Sequence, residues 1–354
     1  MINALDVEND GNVIIKVVGI GGCGIDALNS MITNTIVGVE FIAIGTDKHS
    51  LENCLAETKV YLDCDTIEGN GDRYKAARQV AVEEQERIKA AIGEPDMIFI
   101  VTRMGDDTGT AIAPIVAEIL AGKKILTLGV VSTPFFFEGK GVHFRALKGV
   151  LELNKNVDCV IDVIGDGVLQ SLPPGTTIHA LMEKSREMMH IAIKDIVEFV
   201  TVRGLICIDF ADVYSVMKAT GRGRVGTAVA RGEHRATKAA TEVINSPLLG
   251  HSLGEARGIL LNITCSADTT IDEISEVASI VQEAVLPDVQ VVFGSTIEDS
   301  MGDSLRATVV AAGVTYAHTN EPMDSCKFVE ELITLPSPHA PALIKERKSL
   351  NKVF

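Results

Sequence analysis

Apolar residues along this chain fall into two periods. Short, nearly continuous apolar runs recur at Val13–Gly19, Val39–Ile44, Met97–Val101 and Lys124–Val131. Runs of this length, bounded by turn residues, predict strands buried on both faces. Between them the apolar positions follow helical spacing through Ala27–Ile32, over about Arg73–Ile92 and over Ile112–Leu120. Alternating strands and helices predict a parallel sheet covered by helices on both sides. A longer helical pattern from about Thr177 to Val202 is near the upper end for a globular helix and predicts a bridge between two domains. Strand patterns resume at Gly204–Ile208, Arg257–Thr264, Val289–Gly294 and Leu305–Ala312, with helices at Val213–Lys218, His234–Asn245 and Thr270–Val285. The expected organisation is α/β throughout. An N-terminal extension covers 1–12, a Rossmann-like domain 13–176, a central helix 177–204 and a second α/β domain 205–317. A flexible Pro- and charge-bearing tail covers 318–354.

Composition narrows the function. With 354 residues and 46% apolar content, two domains can each be well packed. No run of uncharged apolar residues is long enough to predict a membrane span. The start Met1–Glu8 is acidic and lacks a basic segment followed by an apolar core, so a secretory signal is not expected. The seven cysteines are scattered and odd in number, with no C-x-x-C pair. That usage fits reduced thiols in a cytoplasmic protein, and no residue is assigned to a metal. A net charge of −16, no tryptophan and 4% aromatic residues argue against nucleic-acid binding.

Candidate chemistry sits in two strand-to-helix turns. Gly19-Ile20-Gly21-Gly22-Cys23-Gly24 follows the first strand. Such a turn fits a dinucleotide site, a mononucleotide site or a plain tight turn. No acidic residue in a clear ribose-binding position supports a dinucleotide. The second turn, Arg103-Met104-Gly105-Asp106-Asp107-Thr108-Gly109-Thr110-Ala111, joins the strand at Met97 to the helix at Ile112. Turns of this kind cradle phosphate with free backbone N–H groups and the positive end of the helix. Asp106 and Asp107 place negative charge where that phosphate would sit.

Further motifs follow in order: Gly38-Val39-Glu40-Phe41-Ile42-Ala43-Ile44-Gly45-Thr46-Asp47, Thr133-Pro134-Phe135-Phe136-Phe137-Glu138-Gly139, Asp209-Phe210-Ala211-Asp212-Val213, Ser246-Pro247-Leu248-Leu249 and Gly258–Thr264. With the two glycine turns, they resemble the FtsZ branch of the tubulin superfamily over roughly residues 13–314. The resemblance implies a GTP/GDP-binding domain, a long central helix and a C-terminal domain carrying a catalytic loop. It also implies head-to-tail filaments in which the catalytic loop of one subunit completes the nucleotide site of the next. By this resemblance Gly21, Gly22, Gly24, Thr108, Gly109 and Thr110 approach the phosphates. Glu138 contacts the ribose, and Asp47 and Glu187 belong to the nucleotide-binding positions. Asp209 and Asp212 polarise the attacking water, although either could simply cap a helix. The implied partners are other copies of the chain, another FtsZ, and division proteins that would dock on the tail segment Pro341–Lys348.

The departures from the family pattern cluster in the nucleotide site. Arg103, Asp106 and Asp107 take glycine positions, and Ala111 follows Thr110. Gly45 replaces the asparagine before Thr46-Asp47. Val142 stands where an arginine is expected, with Lys140 and His143 nearby. Gly69-Asn70-Gly71-Asp72 is a reduced Gly/Ala loop, Arg186-Glu187 replaces the base-reading pair, and Cys207 replaces an asparagine. An uncompensated carboxylate–phosphate contact costs about 4 kcal/mol at about 4 Å and an effective dielectric near 20. That is roughly a thousandfold in affinity. Three arrangements remain open. Mg2+ could bridge the aspartates to the phosphates, Arg103 or Lys140 could neutralise them, or salt bridges could close an empty pocket. The expected function is a GTP-binding, filament-forming protein of cell division or a related positioning task, with slow or altered hydrolysis. The alternative is a nucleotide-independent paralogue that copolymerises with or regulates an active FtsZ. An NAD enzyme would use only the first glycine turn and leaves the later motifs unexplained.

Overall fold

The computed structural model describes residues 13–66, 72–201, 206, 208–218, 220–249 and 252–314. The N-terminal extension, Gly69–Gly71, Cys207 and the tail lie outside the described residues. The strands are β1 (Ile15–Ile20), β2 (Val39–Gly45), β3 (Thr58–Tyr61), β4 (Met97–Arg103), β5 (Leu126–Ser132), β6 (Cys159–Val163), β7 (Gly221–Arg231), β8 (Gly258–Cys265), β9 (Gln290–Ile297) and β10 (Ser304–Ala312). They form one ten-stranded sheet in the order β3-β2-β1-β4-β5-β6-β7-β10-β8-β9. Pairing is parallel from β3 through to β7. β10 then runs antiparallel to both β7 and β8. The two halves predicted from the sequence meet in this sheet through a short pairing of Cys159–Ile161 with Gly221–Gly223.

The helices are α1 (Gly21–Thr33), α2 (Lys48–Glu52), α3 (Arg73–Glu83), α4 (Gln85–Ile92), α5 (Asp107–Leu120), α6 (Lys140–Leu153), α7 (Gly165–Gln170), α8 (Ile178–Thr201), α9 (Phe210–Met217), α10 (Arg235–Ile244) and α11 (Ile271–Glu283). The helix expected over 73–92 is two helices, because the backbone leaves the helical region at Glu84 (φ −95, ψ 18). Of the strand expected over Gly204–Ile208, Ile206 makes one isolated bridge to Ser295. β7 escaped the apolar pattern because it is rich in glycine and arginine. Its glycines admit neighbours: a Cβ on Gly226 would lie 2.7 Å from Leu249 Cγ, and one on Gly223 3.0 Å from Cys159 Sγ. α1 and α5 begin at Gly21 and Asp107, so much of each glycine turn is already the first turn of a helix.

Two cores flank the parallel part of the sheet. On one face α3, α4, α5 and α6 pack on it. On the other, α1 and α8 share a core that extends to Val225, Leu260 and Val310 of the second half. α8 buries Leu181, Met188, Met189, Ile193, Ile196 and Phe199. Its 24 residues span about 36 Å at 1.5 Å per residue. The helix begins after β6 and α7, beyond the C-terminal edge of the parallel strands. It ends with Thr201 against Gly38, at the start of β2 and thus at the opposite edge; a Cβ on Gly38 would be 3.1 Å from Thr201 Cγ2.

A polar seam joins α8 to the second half. Lys194 is paired with Glu298 and lies 3.4 Å from Glu198, and Arg306 Nη2 lies 3.5 Å from Asp195. Burial, with smaller contributions from Asp195 and Glu298, pushes the Glu198 carboxyl up to about 7 against the opposing charge of Lys194. Burial, then Lys194 and Arg306, hold His190 down at about 4. Glu198 therefore binds its proton more tightly in the folded chain. Its contribution to stability is full below pH 4.5 and is lost as pH rises through about 7. His190 has the opposite sign, with stability present above 6.5 and lost as pH falls through about 4. Glu198→Gln is expected to flatten the decline between pH 4.5 and 7 and leave the acid-side loss in place. Urea unfolding at a series of pH values checks this, and parallel profiles for the two proteins would overturn the assignment.

Candidate functional site

The C-terminal ends of β1, β2 and β4 open into a cleft of about 690 Å³. This is the edge of a parallel sheet at which ligands usually bind, because helix N-termini and their free N–H groups converge there. The two glycine turns form its floor. Gly21 has φ +73, and a Cβ there would stand 3.3 Å from Gly109 N, so the turns pack backbone to backbone. A Cβ on Gly22 would meet nothing within 4 Å, leaving that backbone open to the cleft. Thr108 Oγ1 and Thr46 Oγ1 are 3.0 Å apart across the floor. Asp47 lines the cleft and caps α2 by accepting from Ser50 N at 2.9 Å. The hydroxyl and amide of Ser50 hold its carboxyl below the usual carboxylate range.

Three residues expected at the nucleotide are not among those lining this cleft. Gly24 is buried against β4, where a Cβ would be 2.6 Å from Val101 O, so its missing side chain serves helix–strand packing. Thr110 is buried and its hydroxyl accepts from Gly105 N at 2.8 Å, bracing the second turn from below. Glu187 lies on α8, where it accepts from Lys184 at 2.8 Å, and is outside the cleft lining.

Charge is arranged in pairs. Arg103, at the end of β4, donates through Nη1 to Asp106 Oδ1 at 2.7 Å and through Nη2 to Glu138. Glu138 also accepts from Phe135 N at 2.9 Å. Asp107 is paired with Arg145 of α6. Burial opposes the charge on Arg103, but the bond to Glu138 and the charges of Asp106 and Glu138 hold its pKa above the ordinary value. Burial, and next the charge of Asp106, push the Cys23 thiol in the first glycine turn up to about 12, so it stays protonated. The counter-ions of the acidic pair are thus Arg103 and Arg145. Lys140 is not one of them, and sequence reasoning missed Arg145. The available signal was its position three residues after Val142, which puts both on one face of α6. Val142 itself packs on the turn, where a Cβ on Gly105 would lie 2.8 Å from its Cγ1. Among the described residues, no three His, Cys, Asp or Glu side chains converge as a metal site.

Asp209 and Asp212 are both exposed and are not among the residues lining this cleft. Asp209 is the N-cap of α9 and accepts from Asp212 N at 2.8 Å. They follow the far end of α8. Lys218, just after α9, lies 3.0 Å from Asp158, which precedes β6, so α9 sits at the N-terminal edge of the parallel strands.

A family model described as the GTPase domain of the Tubulin/FtsZ family matches residues 14–170, and one described as the C-terminal domain of the FtsZ family matches 221–315. Cell division protein FtsZ of Buchnera aphidicola subsp. Schizaphis graminum (strain Sg) is 39% identical over 311 residues, 87% of this chain and 81% of that protein. The chain belongs to the FtsZ family. A solved FtsZ dimer of M. jannaschii superposes with a TM-score of 0.81 at 30% identity, covering 88% of this chain and 96% of that one. CetZ from Methanosaeta thermophila strain DSM 6194, at 20% identity and a TM-score of 0.72 over 96% of this chain, shares the fold.

In this FtsZ-family cleft the glycines separate by role. Gly24→Ala is expected to destabilise the fold by about 1–3 kcal/mol through overpacking against β4. Gly22→Ala, in the first turn of α1 with open space beside it, should stay within about 0.5 kcal/mol of the parent. Thermal unfolding of the two variants tests the division. Equal losses would show that Gly22 is also a packing glycine.

Proposed function

We propose that this chain assembles head to tail into cytoplasmic filaments that act in cell division, with the cleft of one copy facing the Asp209–Asp212 turn of the next. The observation that carries the proposal is the placement of these two sites at opposite edges of the parallel sheet, about 36 Å of α8 apart. Within one chain the aspartates cannot reach a ligand in the cleft. Across a joint they can. There Asp209 and Asp212 would orient a water and accept its proton.

The cleft's backbone fits a guanine nucleotide's phosphates, since Gly22 leaves the approach open at the head of α1, beside the N-terminus of α5. Its side-chain charges fit poorly while Arg103 and Arg145 remain committed to Asp106 and Asp107. We therefore assign GTP or GDP, with Mg2+ brought in on the phosphates, as the ligand, and hydrolysis slower than an unblocked site would give. The bound nucleotide would supply the phosphoanhydride bond. The chain's own contribution is the floor, the Glu138 contact and, from the next subunit, the aspartate pair.

The same ion pairs favour a second reading: a nucleotide-independent member that copolymerises with or regulates an active FtsZ. Sedimentation with and without GTP separates the two. Pelleting that requires GTP supports the first, and pelleting without it supports the second.

A mixing experiment tests the shared joint. Asp209→Asn with Asp212→Asn preserves the α9 cap and should lower GTP hydrolysis by about a hundredfold. Gly22→Phe should fill the cleft and abolish turnover. Mixed together, the two inactive proteins should regain part of the activity, because some joints pair an intact cleft with intact aspartates. No recovery in co-sedimenting mixtures would show that the aspartates do not act across the joint.

A further inference from the structure

The phosphate end of the cleft already carries anions of its own. Asp106 is the N-cap of α5, with extended backbone (φ −74, ψ 150), yet its side chain makes no capping hydrogen bond. Its carboxylate turns instead to Arg103, 2.7 Å away, and faces Cys23 in the other glycine turn. It thereby spans the space between the two turns. Asp107, in the first turn of α5, is held by Arg145. Both carboxylates lie where the helix end attracts negative charge. With Val142 packed on the turn, the cleft's lining holds three arginines against five carboxylates, a net charge of −2 before any ligand arrives.

We propose that Asp106 and Asp107, clamped by Arg103 and Arg145, substitute internally for nucleotide phosphates, so that the cleft disfavours guanine nucleotides in proportion to the phosphate charge they carry. The proposal rests on the reading of the cleft as a guanine-nucleotide site. At the head of α5 a phosphate can gain a guanidinium only from Arg103 or Arg145, and each such exchange leaves a carboxylate unpaired beside the incoming anion; the third arginine of the lining, Arg73, is exposed at the start of α3. The base and ribose face no such exchange, apart from the contact to Glu138. The preference among ligands therefore runs from guanosine through GMP and GDP to GTP, the reverse of a site that cradles phosphates.

The experiment is calorimetric titration of the full-length chain, at low salt, with guanosine, GMP, GDP and GTP. It compares the parent with Asp106→Asn/Asp107→Asn, which keeps side-chain volume and removes charge, and with Asp106→Gly/Asp107→Gly. Thermal unfolding reports whether each variant is folded, and the Asn pair serves if the Gly pair is not. The parent should bind guanosine more tightly than GTP. The Asn pair should bind GTP at least about tenfold more tightly than the parent does, with guanosine affinity unchanged. A parent that binds GTP more tightly than guanosine overturns the proposal and leaves the nucleotide reading standing. So does a gain that is the same for guanosine and GTP. Absence of saturable binding by every ligand to every variant removes the nucleotide reading itself, and the proposal with it.

Discussion

The burial of α8 against both halves of the molecule is the constraint on which the other features depend. Leu181, Met188, Ile193 and Phe199 share a core with the parallel strands and with Val225, Leu260 and Val310 beyond them. A helix of this length, packed along its whole course, fixes where its two ends lie. One end lies beyond the strand edge that opens into the cleft. The other delivers the chain to Asp209 and Asp212 at the opposite edge. A shorter or kinked helix would bring these sites nearer, and a joint between subunits would no longer be needed to unite them. The ionic seam of Lys194, Glu198, Glu298 and Arg306 couples the same helix to the second half. Protonation there thus bears on the contact that sets the distance between the two sites.

The cleft combines a floor of closely packed glycine turns with side-chain charges held in pairs. The two glycine turns pack on each other, and Thr110 braces the second from beneath. The carboxylates at the head of α5 would be costly as isolated charges, but the structure contains no isolated charges there. Arg103 bridges Asp106 and Glu138, and Arg145 answers Asp107. Arg103, Asp106, Asp107, Val142 and Arg145 behave as one compensated set. Val142 fills the space over Gly105, and a cation returns one helical turn later at Arg145. Removal of a single member would leave a partly buried charge without its counter-ion.

Much of the fold was legible from periodicity, and the failures have identifiable causes. β1, β4 and β5 are covered on both faces and must be continuously apolar, so they announce themselves. β7 is held by backbone pairing with β6 and β10 and by close contacts at its glycines, which requires no apolar run. The break at Glu84 leaves no mark in the amphipathic spacing, because both helices present apolar residues to the same core. Within the site, motif matching treated every glycine and threonine of the turns alike. Gly24 packs on β4 and Thr110 braces the second turn, while Gly21, Gly22, Thr108 and Gly109 line the cleft.

The α/β class, the order of the turns along the chain and the two carboxylates at the head of α5 are readable from the chain alone. These are local properties, written in the spacing of apolar residues and in residue identity. What those carboxylates do follows from how remote segments pack. Arg145 is 38 residues from Asp107 along the chain, and Glu138 is 35 from Arg103. Nothing in local spacing states that α6 folds back over the end of β4. The same holds for the separation of the cleft from Asp209 and Asp212, which depends on the direction in which α8 crosses the sheet. Charge pairing and distance arise from packing between remote segments, and in this protein those two quantities set the terms on which the site can work.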